Sequence, residues 1–159
     1  LSTSGSVLMN NGDRIYLRGT LECCIFPLTG TPPTDKEGWN KVFSVAKAYG
    51  LNHLRFHSWC PPQAAFEVAD DMGFYLQVEL PLWSLTVGKD TTTNRFLHEE
   101  ADRILKEYGN HPSFCLMSVG NELQPDFDFL NNLRSYMKSK DNRHLYTTTT
   151  FTFEKGHGD

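Results

Sequence analysis

The stretch LNHLRFHSWCPPQAAFEVADDMGFYLQVEL, residues 51–80, holds a strand, a helix and a second strand in immediate succession. Leu51 to Trp59 is rich in apolar and aromatic side chains and reads as a strand, and Cys60-Pro61-Pro62 turns the chain out of it. From about Gln63 to Met72 a helix is expected, with Phe66 and Ala69 facing inward and Gly73 as its stop. Phe74 to Leu80 is again a strand, closed by Pro81. Strands joined through a helix pair in parallel, with a right-handed crossover.

The same alternation extends in both directions. Upstream, Thr34 or Asp35 can cap a helix in which Trp39, Val42, Phe43, Ala46 and Tyr49 recur at helical spacing, ended by Gly50. Before it, Val7-Leu8-Met9 and Ile15-Tyr16-Leu17 flank Asn10-Asn11-Gly12-Asp13. Asn-Gly tolerates the positive φ angles of a tight turn, so residues 1–16 read as a lead-in hairpin. Its second arm continues into Arg18-Gly19-Thr20-Leu21-Glu22, the first interior strand, followed by a Pro- and Gly-rich loop from Phe26 to Pro33. Downstream, Thr91-Thr92-Thr93 precedes a helix with Phe96, Leu97, Ala101, Ile104, Leu105 and Tyr108 on one side and Gly109 at its end. Ser113 to Val119 is a strand. Pro125-Asp126 opens a helix bearing Phe129, Leu130, Leu133 and Met137, and Leu145 to Thr150 is the last strand.

Five strands separated by four helices fit either a doubly wound open sheet or part of a (β/α)₈ barrel. The open sheet carries a Gly-rich phosphate turn after its first strand. Here that strand ends Thr20-Leu21-Glu22-Cys23-Cys24, and no GxGxxG occurs anywhere. Polar and aromatic residues gather instead at the C-terminal ends of several strands: Glu22, His57, Trp59, Glu79, Trp83, Asn121 and Glu122. In a barrel that end is the catalytic face. The α/β reading is therefore a partial TIM barrel, strands 1–5 with four helices after a short hairpin, making residues 1–159 the N-terminal portion of one catalytic domain. A whole barrel needs eight strands and about 250 residues. The remaining strands are expected in a longer polypeptide, and the exposed half-barrel edges invite self-association.

Composition narrows the partners. The chain has 159 residues, a formal net charge of -4 and 39% hydrophobic residues, an ordinary globular balance with no basic field for nucleic acid. No apolar run approaches the roughly 20 residues that span a membrane, and the polar start Leu1-Ser2-Thr3-Ser4 is not a signal peptide. Cys23, Cys24, Cys60 and Cys115 form no CxxC pair and no metal-ligand spacing, so they are expected as free thiols facing the interior. No cofactor and no metal site are implied.

The most informative run is Asn110-His111-Pro112-Ser113-Phe114-Cys115-Leu116-Met117-Ser118-Val119-Gly120-Asn121-Glu122. An apolar strand rises, Gly120 lets the backbone turn, and Asn121 and Glu122 are delivered side by side at the rim. Cleaving a glycosidic bond needs a carboxylic acid that first protonates the leaving oxygen and later, ionised, activates water. An adjacent amide suits the sugar hydroxyl next to the reacting carbon, a contact that strengthens in the transition state.

This run resembles the fourth strand of the clan A retaining glycoside hydrolases, most closely family 2, which contains β-galactosidases, β-glucuronidases and β-mannosidases. Asn11 to Gly19 is similar to that family's lead into its barrel, Tyr49 to Arg55 to its second strand, and Ala69 to Leu76 to its passage from helix 2 to strand 3. The resemblance implies Glu122 as acid/base, Asn121 as the sugar-binding amide, Arg55 as a support of the catalytic carboxylates, and Glu79 as the glutamate ending strand 3. It places the nucleophile, a second glutamate, on strand 7, which this sequence does not contain; Glu154 lies just beyond strand 5 and is not that residue. It also implies a carbohydrate substrate and a place outside the cytoplasm, secreted or periplasmic. Departures occur at Arg55-Phe56-His57-Ser58-Trp59-Cys60-Pro61, where the family pattern is closer to Arg-x-Ser-His-Tyr-Pro, and at Met117, where many members carry Trp.

Other candidates have a bland reading beside the functional one. His57 is a sugar contact or a hydrogen-bonded structural histidine. Trp59 and Trp83 offer flat faces for stacking on a sugar, or pack against loops. Glu79 binds substrate or pairs with Arg55. Trp39 is core, His111 fixes the strand start, His98 and His144 are surface residues, Asp126 is a helix cap, and Asp70-Asp71 is a solvated face. The expected function is a retaining, exo-acting β-glycosidase carrying the acid/base but not the nucleophile. The alternatives are an endo-acting clan A glycanase and a non-catalytic carbohydrate-binding or dimerising half-barrel.

Overall fold

The computed structural model describes residues 1–124 and 126–152; Pro125 and Glu154, both read from the sequence, lie outside them. The chain begins with a small antiparallel sheet of β1 (Ser2–Ser4), β2 (Val7–Asn10) and β3 (Asp13–Arg14). The turn at Asn11-Gly12 is where Asn-Gly was expected to place it, and both residues have positive φ, 51° and 93°. The arms differ from expectation. Ser2–Ser4 adds a third strand, and the second arm leaves the sheet after Arg14, with Ile15 bonded back to Leu8.

The main sheet is parallel, in the order β4 (Gly19–Glu22), β5 (His53–Phe56), β6 (Tyr75–Glu79), β7 (Phe114–Gly120) and β8 (Leu145–Thr149). Between its strands run α1 (Lys36–Ala48), α2 (Gln63–Met72), α3 (Thr91–Tyr108) and α4 (Phe127–Lys140). This is the succession of the first five strands of a TIM barrel, with neighbouring strands adjacent in sequence rather than doubly wound around a central one.

Local chemistry sets the helix ends. The Asp35 carboxylate accepts from Gly38 N at 2.8 Å, so Asp35 rather than Thr34 is the cap. Gly73 closes α2 in the left-handed conformation, φ 73°. At α3 the helix starts three residues earlier than expected, at Thr91. Asp90 accepts from Thr93 N at 2.6 Å, which puts the three threonines inside the helix. Asp126 caps α4 through bonds from Asp128 N and Phe129 N.

The core lies between sheet and helices. Trp39, Phe43, Phe56, Phe66, Leu76, Val78, Leu97, Met117, Leu130 and Leu133 are fully or almost fully buried. Burying a large apolar side chain stabilises a fold by roughly 1.5–3 kcal/mol, so these positions fix how the helices dock. Tyr49 departs from its helical stripe. It is the C-cap of α1, where the chain reverses at Gly50, and it is 82% exposed.

Three further expectations are corrected. Cys23 and Cys24 are exposed, because they lie past the end of β4 where the chain turns; Cys60 is half-buried and Cys115 buried. His144 is buried rather than on the surface, its ring stacked on Phe114 at 4.4 Å and its Nδ1 donating to Phe114 O at 2.7 Å. Asp70 is not a merely solvated helix residue: it accepts from His111 Nδ1 at 2.6 Å and from Ser113 N at 2.8 Å. His111 thereby holds the start of β7.

Candidate active site

The C-terminal ends of β4 to β8 bring Glu22, His57, Trp59, Glu79, Trp83, Asn121 and Glu122 to one edge of the sheet, and add Thr150. Three non-glycine residues with left-handed backbone stand there: Cys24 after β4, Ser58 after β5 and Glu122 after β7, with φ of 56°, 58° and 52°. Each such residue costs on the order of 1–3 kcal/mol, and such strain collects at functional sites. Asn11 is the other non-glycine residue of this kind among those described, and it sits in a surface turn.

Gly120 has a different reason from the turn expected of it. A Cβ there would stand 2.2 Å from Leu82 O. Only glycine lets the end of β7 press against the segment that follows β6, and Asn121 N then donates to Leu82 O at 3.2 Å. That contact sets Glu122 beside Trp83. The indole Nε1 donates to Glu122 Oε2 at 2.9 Å, and the Trp83 ring meets His57 edge-on at 5.8 Å. Trp83 is 65% exposed. Its face is open to solvent at the rim.

Beneath this pair lies a buried polar network centred on Glu79, which is fully buried. Arg55 Nε donates to Glu79 Oε1 at 2.7 Å, Ser118 Oγ to the same oxygen at 2.9 Å, and Ser58 N to Oε2 at 2.7 Å. A buried carboxylate is tolerable only when paired and hydrogen-bonded in this way. Arg55 uses its other arm on Asn121 Oδ1 at 2.7 Å and on Thr150 Oγ1. Thr150 in turn stands 3.0 Å from Asn121 Oδ1. Of the two readings of Glu79, the geometry is that of the ion pair with Arg55.

The two rim tryptophans separate. Trp59 is partly buried, packs on Phe56 and Trp39, and donates Nε1 to Glu22 O at 3.0 Å, so it is a packing residue that anchors the end of β4. Trp83 is the exposed one. Burial pushes the Glu22 carboxyl above its usual range against the lowering effect of bonds from Cys24 N, 3.1 Å at its nearer oxygen. Sequence reasoning missed Thr150 and the role of Ser58 N. Neither has a signal in its neighbourhood, since both act through partners far along the chain. Among the described residues no group of His, Cys, Asp and Glu is arranged to hold a metal ion, and no helix is long and apolar enough to cross a membrane.

The arrangement is that of a partial TIM barrel whose C-terminal face carries the half-buried Glu122 carboxyl beside an anchored amide. Comparison with known proteins points the same way. No family model matches the chain. A sequence named "Putative beta-glucuronidase" from Formosa agariphila is 28% identical over 123 residues, covering 74% of this chain and 14% of its own length. Among solved structures, the β-glucuronidase of Parabacteroides merdae superposes with a TM-score of 0.75 at 19% identity, covering 86% of this chain and 18% of that one. The β-D-mannosidase of Dictyoglomus thermophilum gives 0.74 at 16% identity, over 88% of this chain and 19% of that one. The structural neighbours are thus TIM-barrel glycosidases. The chain spans less than a quarter of the length of each.

Proposed function

We propose that this chain is the N-terminal portion of a single TIM-barrel catalytic domain of a retaining, exo-acting β-glycosidase, and that it contributes the acid/base. Glu122 donates a proton to the departing glycosidic oxygen and, once ionised, draws a proton from the attacking water. Asn121 binds the hydroxyl beside the reacting carbon. Arg55, Glu79 and Ser118 hold that amide in place, and Trp83, with His57 at its edge, lines the approach. The nucleophile is a second carboxylate from a strand outside this chain, about 5–5.5 Å from Glu122 as retention requires. The observation that carries the reading is the pairing at the end of β7. There a half-buried Glu122, in left-handed backbone, is tethered to an exposed tryptophan, next to an amide locked from below.

The test is Glu122→Gln in the full-length polypeptide. Hydrolysis of poorly activated aryl β-glycosides should fall by about 10²–10⁴-fold, the usual worth of general acid/base catalysis. Near-normal rates would remove Glu122 from the role. The 159 residues alone should not hydrolyse nitrophenyl glycosides, and robust turnover by them would contradict the division of the two carboxyls between this chain and a later strand. The exposed edge of β4, where Gly19, Thr20 and Leu21 face solvent, supports a second reading in which the isolated half-barrel pairs with a copy of itself. Sedimentation of the 159-residue chain as a monomer would dispose of it.

A further inference from the structure

We propose that Trp83 forms the wall of the leaving-group side of the site, and that the site favours β-glycosides whose leaving group is a flat aromatic ring. The inference rests on the glycosidase reading above, which supplies the leaving group, and adds the chemical class of that group.

Trp83 is held by the backbone on both sides. Asn121 N donates to Leu82 O at 3.2 Å, and Gln124 N donates to Ser84 O at 3.2 Å. Residues 82 and 84 are thus pinned to two residues that bracket Glu122. Leu82 and Val87 of the same segment are buried in the core, and Asp126 N donates to Val87 O at 2.7 Å. The segment is anchored at both ends, yet Trp83 and Leu85 between those anchors are each 65% exposed.

The tether of the indole decides which half of a substrate it meets. Its Nε1 donates to Glu122 Oε2 at 2.9 Å, which leaves Oε1 to carry the proton that goes to the departing oxygen. The group bearing that oxygen borders Glu122, and with it the tethered ring. The one polar atom of the indole is spent on this bond. What remains is a π face and hydrocarbon edges, and Leu85, two residues on, adds apolar surface. His57 meets the ring edge-on at 5.8 Å, an arrangement that aromatic pairs prefer, and steadies it. A flat aromatic leaving group stacks on such a face and buries apolar area on both partners. A second sugar would shed water from its hydroxyls, and neither the Trp83 nor the Leu85 side chain has a donor or acceptor left to replace it.

The experiment uses the full-length protein and three β-glycosides of the sugar it hydrolyses best: benzyl, cyclohexylmethyl and the (1→6)-linked disaccharide. All three leave as primary alcohols, which keeps the acidity of the leaving group nearly constant. Wild type should favour benzyl over both others in kcat/KM by about 2–10-fold, the usual worth of an aromatic stack. Trp83→Phe and Trp83→Leu both lose the N–H and should slow on all three substrates. Phe should keep the preference for benzyl, and Leu should abolish it, which separates stacking from the tether. Each ratio is taken on a single preparation, so a loss of folded enzyme cancels. Wild type without a preference for benzyl, Trp83→Leu with the wild-type ratio, or Trp83→Phe as indifferent as Trp83→Leu overturns the proposal and leaves the glycosidase reading intact. A full-length protein that hydrolyses no glycoside of a broad panel overturns that reading, and this inference with it.

Discussion

At the N-terminal end of the sheet, Asp70 accepts from His111 and Ser113, and Asp141 pairs with Arg143 at 2.5 Å. At the C-terminal end, Glu79 is saturated by Arg55, Ser58 and Ser118, yet among the described residues Glu122, one strand away, accepts from Trp83 alone. The polar groups at the first end close upon the loops that start β7 and β8. Those at the second end are graded from a buried carboxylate with every oxygen occupied to a half-buried one with an oxygen left over. The lesson is that a carboxylate at a strand end is structural when its donors outnumber its lone pairs' needs, and available for chemistry when they do not.

Several measurements would break or sharpen that contrast. The largest effect on stability is expected from Arg55→Met, which strands the Glu79 charge in the core. Removing one partner of a buried pair costs about 3–5 kcal/mol, read as a shift of the urea midpoint, while Glu122→Gln should move it by less than about 0.5 kcal/mol. A destabilising Glu122→Gln would make the two carboxyls equivalent and end the distinction. At the other end of the sheet, Asp70→Ala leaves Ser113 N and His111 without their acceptor and should cost about 1–3 kcal/mol, read in the same urea midpoint.

Acid should weaken the N-terminal end through its histidines. Burial, with Arg55 nearby, lowers His53 to about 4, and burial likewise lowers His144, with Asp141 and Arg143 beside it acting in opposite directions. Both are neutral in the folded protein at pH 7. Because their folded values lie below the ordinary 6.5, the unfolded chain binds protons first, and stability falls as pH drops from about 6.5 toward 4. His144→Phe should flatten that part of the melting-temperature profile; an unchanged slope would show that His144 contributes nothing to it. The smallest change in stability is expected from Trp83→Phe, within about 0.5 kcal/mol for so exposed a side chain. Its effect should appear instead in kcat/KM, lowered by about tenfold as Glu122 loses its tether.

Much of the fold was legible because its signals are short in range. Helical spacing from Trp39 to Ala46, the caps at Asp35, Gly73 and Asp126, and the run from Phe74 to Leu80 are properties of neighbouring residues. They were enough to separate successive β/α units from an open doubly wound sheet, and to collect Glu22, His57, Glu79, Asn121 and Glu122 at one end of the strands. The choice between roles was not legible. Trp59 and Trp83 look alike in sequence, yet one anchors the end of β4 and the other faces solvent beside Glu122.

The sequence by itself determined the order of elements, the parallel sheet and the edge on which chemistry-bearing side chains appear, because backbone periodicity and capping act within a few residues. Only the tertiary structure decided which of those side chains are saturated. Arg55 finds Glu79 24 residues away, Asn121 66 away and Thr150 95 away. Hydrogen-bond satisfaction depends on partners that distant strands bring together, and nothing in the neighbourhood of Thr150 or His144 announces them.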